Sequence, residues 1–239
     1  MCTLIRRDNL MNDMEAIRQR HSVRQYKPDR IEEEKAALIK AKIEELNREG
    51  DLHLQFVEDA DKTYNKLFNR VSGLGTAPSV IACVGKDDAS LDQRVGYYGE
   101  KLVLYAQQLG LNTCWTGTFN RKNISADIPD GERLVISIAI GYGKDGGRIR
   151  KSKSKEQVSE IVGVADASGV SAQRPEWFEK GVEAALLAPT AINQQKFLIR
   201  LKSDGNVEFI DKGGVLSQVD LGIVKCHFEI GSGKKQVPG

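Results

Sequence analysis

Long apolar runs are missing from this chain of 239 residues. Its longest, Leu134 to Ile140, falls far short of the ~20 residues that a membrane-spanning helix needs. The start, MCTLIRRDNLMNDM, lacks the unbroken apolar segment of a secretory signal, so a cytoplasmic protein without a membrane partner is expected. Cysteine is scarce: Cys2, Cys83, Cys114 and Cys226 lie far apart and form no C-x-x-C pair, which excludes a disulfide framework and a zinc signature. His21, His53 and His227 are equally scattered, so no metal site is expected. Charge of one sign is lacking too. With 35 Lys plus Arg against 33 Asp plus Glu, the net charge of +2 argues against a general polyanion binder, and no nucleic-acid partner is expected. What is present is ordinary globular material, 40% hydrophobic and 28% charged in 26.4 kDa. That excludes disorder and suits one domain or two small ones.

Periodicity predicts the main elements. Met14 to Arg20 reads as a helix, and a second runs from about Ile31 to Arg48 with Ala36, Ile39, Ile43 and Leu46 at helical spacing. Asp29 three residues before Glu32 suggests a capping box, and Gly50 a stop. Strands are expected at Leu52 to Val57 and Pro78 to Val84. The strongest helix spans Leu91 to Leu109, where Val95, Tyr98, Leu102, Tyr105 and Leu109 step by three or four and Gly110 supplies a C-terminal cap. A strand or loop follows at Asn112 to Phe119, then a buried strand at Leu134 to Ile140. The basic run RIRKSKSK (Arg148 to Lys155) and a polar stretch, Glu156 to Gly169, come next. Pro175 opens a helix that stops at Pro189. Strands at Phe197 to Leu201 and Val207 to Ile210 are joined by a turn at Ser203 to Asn206. A last helix runs from Gln218 to Phe228, before a tail expected to be mobile.

One motif is a decoy. Gly141, Gly143 and Gly146 satisfy G-x-G-x-x-G after a strand, but the following GRIRKSKSK does not open an amphipathic helix, which a dinucleotide-binding turn requires. The reading is a Gly-rich turn.

Three segments carry more information. Arg20, Ser22 and Arg24 alternate, so an extended chain presents all three on one face, where two guanidiniums flank a hydroxyl and suit a phosphate. A solvated basic surface is the plain alternative. In Ala188 to Phe197, APTAINQQKF, the amides of Asn193 and Gln195 suit the polar edge of a heterocycle, unless the segment is an ordinary loop into a strand. Finally, Gly117 between Thr116 and Thr118 leaves a backbone N–H without a side chain in the way, unless this is only a helix-to-strand connection.

Taken together, the three segments resemble the FMN-dependent nitroreductase family. Its opening R-x-S-x-R-x-[FY] matches Arg20, Ser22, Arg24 and Tyr26. Its A-P-S-x-x-N-x-Q element matches Ala188, Pro189, Thr190, Asn193 and Gln195. Its Leu-Gly-Leu helix end matches Leu109 to Leu111, and its late basic segment matches Arg148, Arg150 and Lys151. The likeness covers about residues 14 to 230. In ordinary members the second element lies soon after the first, whereas here it comes some 165 residues later. The chain is therefore similar to the nitroreductase subgroup with that motif displaced towards the C-terminus.

The resemblance implies an α+β fold with a mainly antiparallel sheet flanked by helices, arranged as a single-chain pseudo-dimer. Residues 1–165 would form the FMN-binding core and 166–239 a partial second copy, the whole one compact unit with one FMN between the portions. Arg20, Arg148 and Arg150 would hold the phosphate, Ser22 and Arg24 would reach towards the ribityl chain and the pyrimidine edge, and His21 would also bind the cofactor. The backbone N–H near Gly117 would face N5, Pro189, Thr190 and Asn193 would cover the ring, and Thr116, Ala191 and Gln195 would also bind the cofactor. NAD(P)H would be the co-substrate and a nitroaromatic, quinone or other small electron acceptor the partner, with no dedicated acid or base. A monomer is favoured over a homodimer. The alternative is a flavin-binding or storage protein without significant turnover.

Overall fold

Two apolar runs in the first half of the chain, SVIACV and LVISIAI, have no polar alternation, and strands of that kind need cover on both faces. The computed structural model of the chain describes residues 11–60, 77–119, 121–148, 150–162 and 174–236. It places those runs in β2 (Ser79–Lys86) and β4 (Glu132–Gly141), the two central strands of a sheet ordered β1-β2-β4-β3. Both are buried over nearly their whole length. The outer strands are β1 (Leu52–Val57), in which exposure varies from residue to residue, and β3 (Asn112–Thr116), which pairs antiparallel with β4 from Asn112↔Gly141 to Thr116↔Ser137.

Six helices occur among the described residues: α1 (Asp13–Gln19), α2 (Glu33–Gly50), α3 (Leu91–Gln108), α4 (Lys155–Val158), α5 (Glu176–Ala185) and α6 (Ser217–Ser232). The predicted capping box does not form. Glu32 itself is the N-cap of α2 and makes no side-chain cap bond. Its carboxylate instead accepts a hydrogen bond from the Tyr142 hydroxyl, which also holds it below the usual carboxylate range. Nor is Gly50 the stop, for it is the last helical residue and Asp51 turns left-handed at φ 47°. Asn47 then pins β1 through both of its amide atoms, Oδ1 to the Leu54 N–H at 2.8 Å and Nδ2 to the Leu54 carbonyl at 3.0 Å.

The end of α3 follows the sequence closely. Gly110 sits at φ 75°, its N–H bonds the Gln107 carbonyl at 3.0 Å, and the Leu111 N–H reaches the Ala106 carbonyl at 2.9 Å. These are the two bonds of a Schellman cap. The predicted single apolar face is too narrow, however. Nearly every residue from Arg94 to Leu104 is buried, so α3 is a core helix rather than a surface one.

The chain divides into two compact units. One holds the described residues up to Val84 together with Leu102–Arg148, and so contains α1, α2 and most of the four-stranded sheet. The other holds Gly85–Lys101 and the described residues from Arg150 onward. The expected boundary at residues 165 and 166 lies outside the described residues.

Among the described residues the second unit has its own sheet, ordered β5-β6-β7. Strands β6 (Phe197–Leu201) and β7 (Val207–Asp211) form an antiparallel hairpin at the predicted places, turned by Gly205 at φ 82°. The third strand, β5 (Ser159–Ile161), lies in the stretch expected to be merely polar and pairs parallel with β6. Helices α5 and α6 pack face to face through Phe178 and Phe228, with ring centroids 5.8 Å apart, and Phe209 of β7 meets Phe228 at 5.3 Å. The start of the expected mobile tail is anchored: Lys234 lies 4.4 Å from the Trp177 ring centroid, and the Gln236 N–H bonds Glu229 at 2.6 Å.

Candidate functional site

In the first unit the opening motif is extended, as its alternation predicts. Helix α1 ends because Arg20 leaves helical geometry at ψ 138°. Ser22 then forms a parallel bridge with Thr113, and Tyr26 an antiparallel one with Gly143. Val23 is fully buried between them, and its N–H reaches the Thr113 carbonyl at 3.1 Å. The short extended segment is thus stitched beside β3.

This arrangement brings the three motif side chains together. Arg20, only 7% exposed, lies with Nη2 3.5 Å from the Ser22 hydroxyl, and Arg24 Nη1 donates to the Ser22 carbonyl at 3.2 Å. Cys114 on β3 senses both guanidiniums. Burial pushes its thiol up, while the charges of Arg24 and Arg20 pull it the other way. A buried guanidinium next to a second one concentrates positive charge where an anion can compensate it.

The Gly-rich turn contributes by close approach rather than by a helix. A side chain at Gly143 would strike Asn112 Oδ1, which accepts the Gly143 N–H at 2.9 Å. At Gly147, φ is 77°, and a Cβ would lie 2.8 Å from that of His21 and 3.3 Å from the Ser22 carbonyl oxygen. The turn therefore presses against His21 and Ser22, and Arg148, which follows Gly147, is exposed. Thr116 is buried and its hydroxyl donates to the Cys114 carbonyl at 3.2 Å, whereas Gly117 is exposed just past the end of β3.

The second unit holds Arg150 and the displaced motif. Arg150 is exposed, and the basic run beyond it is partly neutralised, Lys155 pairing with Glu179 at 2.8 Å and Glu183 at 2.5 Å. The two motif amides bind the chain's own backbone. Asn193 Nδ2 donates to the Lys151 carbonyl at 2.8 Å. Gln195, 2% exposed, donates to the Leu186 carbonyl at 2.9 Å and accepts the Lys153 N–H at 2.8 Å. Their first duty is to shape the loop. Thr190 joins them, accepting the Gln195 N–H at 3.1 Å.

Sequence reading missed the role of Asp220, on the first turn of α6. Its carboxylate accepts the Ala191 N–H at 2.9 Å and Gln194 Nε2 at 2.8 Å. The signal was a lone carboxylate in the apolar stretch VDLGIV, but its partners are 26 and 29 residues away. Burial raises its pKa to about 6, against the opposing pull of those two hydrogen bonds and with some help from Asp211. A carboxyl whose folded pKa is raised favours the fold most below its unfolded value near 3.8, and that benefit is lost as pH rises through about 6. The full span corresponds to about 3 kcal/mol at about 1.4 kcal/mol per pH unit, of which about 2 kcal/mol falls between pH ~4.5 and ~7.5. Urea unfolding should therefore show wild type losing about 2 kcal/mol relative to Asp220→Asn across that range. Parallel pH profiles would mean that Asp220 does not titrate there.

A further buried pair belongs to the same unit. His227 Nδ1 donates to the Ala184 carbonyl at 3.0 Å, and its Nε2 lies 2.9 Å from Glu100, both side chains being fully buried. Among the described residues, no helix is long and apolar enough to cross a membrane.

Comparison with known proteins bears on the fold. A solved structure described as a "putative nitroreductase" from Thermotoga maritima MSB8 matches 96% of the chain and 88% of its own, with a TM-score of 0.64 at 22% identity. A nitroreductase-like protein of Streptococcus mutans matches over 97% of its own length but only 63% of this chain, with a TM-score of 0.53 at 16% identity. A "putative nitroreductase" from Exiguobacterium sibiricum 255-15, solved in complex with FMN, covers 62% of this chain and 95% of its own at a TM-score of 0.50 and 17% identity. No curated protein matches. The model of the family described as "Putative TM nitroreductase" matches residues 12–232, and the chain belongs to that family, with its mixed α+β nitroreductase-like fold.

Proposed function

We propose that this protein is an FMN-dependent NAD(P)H oxidoreductase acting on a nitroaromatic, a quinone or another small electron acceptor. The observation that carries the reading is the buried Arg20 guanidinium beside Ser22 and Arg24, with Gly147, the residue before Arg148, packed against His21 and Ser22. Two guanidiniums, a hydroxyl and a further arginine form the donor set that a phosphate monoester fits. Bound FMN supplies the redox chemistry, taking hydride from NAD(P)H and passing reducing equivalents to the acceptor. The chain's own work is positioning. Arg20 and Arg148 hold the phosphate, Ser22 offers a hydroxyl to the ribityl chain, and Arg24 supplies positive charge that favours a more electron-rich ring. The exposed Gly117 leaves its neighbouring backbone open to a close approach.

The displaced motif makes residues 188–195 the second flavin segment of the same chain, and we take the protein as a cytoplasmic, monomeric pseudo-dimer with one FMN. Support comes from the sequence match at Ala188, Pro189, Thr190, Asn193 and Gln195. It comes also from the surplus of this chain over relatives whose whole fold spans under two thirds of it. Purified protein, or apo protein given FMN, should show flavin absorbance with altered fluorescence at one FMN per chain, and should oxidise NAD(P)H when an acceptor is added. Absence of binding at micromolar FMN sinks the assignment. Binding without turnover leaves a flavin-binding protein only.

A further inference from the structure

Within the second unit, Gln93 on the first turn of α3 lies over Gly222 of α6. A Cβ on Gly222 would strike the Gln93 carbonyl oxygen, so the two backbones touch there. Gln218 and Lys225 stand four residues before Gly222 and three after it, on the same face of α6. The Gln93 side chain therefore has one neighbour on either hand, and it bonds both. Lys225 Nζ donates to its Oε1 at 2.7 Å, and its Nε2 donates to Gln218 Oε1 at 2.6 Å. Gln218 continues the series, its Nε2 donating to Asp211 Oδ2 at 2.6 Å.

Chemistry fixes the sense of this chain. An ammonium only donates and a carboxylate only accepts, so each carboxamide between them has one orientation open to it. Both amides are polarised in the same sense, and each bond strengthens the next. Lys225 is partly buried, its Nζ lies 5.8 Å from the Phe209 ring centroid, and no carboxylate pairs with it among the described residues. Burial accordingly holds its pKa below the usual lysine value. Its countercharge is Asp211, reached through two amides.

The Asp211 end carries a strained turn. Gly213 and Gly214 sit at φ 76° and 130°, and Leu216, the N-cap of α6, is left-handed at φ 55° with no side-chain cap bond. Leucine disfavours that region and stays there only where its surroundings impose it. Asp211 imposes it from both sides. Its Oδ1 accepts the Gly213 N–H at 2.7 Å, and its Oδ2 accepts the Ser217 hydroxyl at 2.7 Å beside the Gln218 amide.

We propose that Lys225, Gln93, Gln218 and Asp211 form a one-way relay that latches this turn, so that a lysine two turns along α6 governs how the helix begins. With the relay intact, the turn and the start of α6 open only when α3 and α6 part. With it cut at Lys225, Asp211 is held less firmly and the turn opens by itself. The latch does not depend on a bound flavin.

Two variants test it. Lys225→Met keeps the apolar stem against Phe209 and removes the donor. In isotope-labelled protein the side-chain amide protons of Gln218 should shift in this variant, although Lys225 does not bond Gln218. Exchange of the Gly213 N–H should quicken about tenfold, with the Val182 amide of α5 unchanged. Gln93→Glu keeps an acceptor for Lys225 but loses the donor to Gln218, so Gly213 should exchange about as fast as in Lys225→Met. Separate, uncoupled bonds would give neither result. An unmoved Gln218 amide in Lys225→Met overturns the relay, and unchanged Gly213 exchange in either variant overturns the latch. Should Lys225→Met not fold, wild type and Gln93→Glu decide: the side-chain amide protons of Gln93 and Gln218 should be protected in the intact chain, and free exchange there overturns it.

Discussion

Replacing Arg20 by alanine should weaken FMN binding by about ten- to a hundredfold while leaving the protein folded. A charge-assisted hydrogen bond is worth about 1.5–3 kcal/mol, and about 1.4 kcal/mol is a factor of ten in affinity. The side chain lies at the C-terminal end of α1 and its backbone N–H, which caps the helix through the Ala16 carbonyl, survives the substitution. Packing loss should therefore be modest and the effect concentrated on the ligand. Riboflavin, which lacks the phosphate, separates the two. Its affinity should change far less than that of FMN, so the ratio of the two affinities should collapse towards one. Equal losses would show that Arg20 supports the segment without gripping phosphate. Arg20→Lys should recover only part of the loss, because an ammonium keeps the charge but not the two parallel donors. Fluorescence titration of apo protein with each flavin reads all three results.

Much of the fold was legible because its signals are local. The steps of three and four in α3 and Gly110 after it specify a helix and its end from neighbouring residues alone, and the Schellman bonds at Gly110 and Leu111 bear this out. The unbroken apolar runs of β2 and β4 likewise announce central strands. Failures occurred where a distant partner outbid a local one. Glu32 matched a capping box with Asp29, yet its carboxylate went to Tyr142, 110 residues away. Strand β5 is three residues long and exists because β6 lies alongside it in parallel, which no pattern within Ser159–Ile161 encodes. The same holds for the site. Alternation in Arg20, Ser22 and Arg24 predicts a shared face, and the side chains do converge. The amides of Asn193 and Gln195 were read as suited to the polar edge of a heterocycle, whereas in the structure they bind the backbone of residues 151–153. Asp220 was invisible as a clamp because its meaning lies entirely in Ala191 and Gln194.

The largest effect on stability should come from a single methyl group at Gly222. Within the second unit, α6 crosses the first part of α3 with two glycines at the contact. A Cβ on Gly222 would fall inside the contact radius of the Gln93 carbonyl oxygen and 2.8 Å from the Tyr97 nitrogen, and one on Gly96 would collide with the Val219 carbonyl. The obstructing atoms are helix backbone, which cannot swing aside as a side-chain tip can. Separating the helices would also stretch the bridges between them, Gln93 to Gln218 at 2.6 Å, Lys225 to Gln93 at 2.7 Å and Tyr97 to Glu229 at 2.7 Å. Alanine gains about 1 kcal/mol over glycine in helix propensity, and overpacking costs typically 1–3 kcal/mol and more where backbones must part. Gly222→Ala should accordingly destabilise by about 3 kcal/mol net, and Gly222→Val by enough to unfold the unit. The double variant Gly96→Ala/Gly222→Ala should cost less than the sum, because one displacement of the helices makes room for both methyls. Gly146→Ala, with nothing within 4 Å of its Cβ, serves as the neutral reference. Urea midpoints for wild type, Gly96→Ala, Gly222→Ala, the double variant and Gly146→Ala decide the matter: additive losses would mean two independent sites, and a harmless Gly222→Ala would mean that these helices do not cross at the glycines.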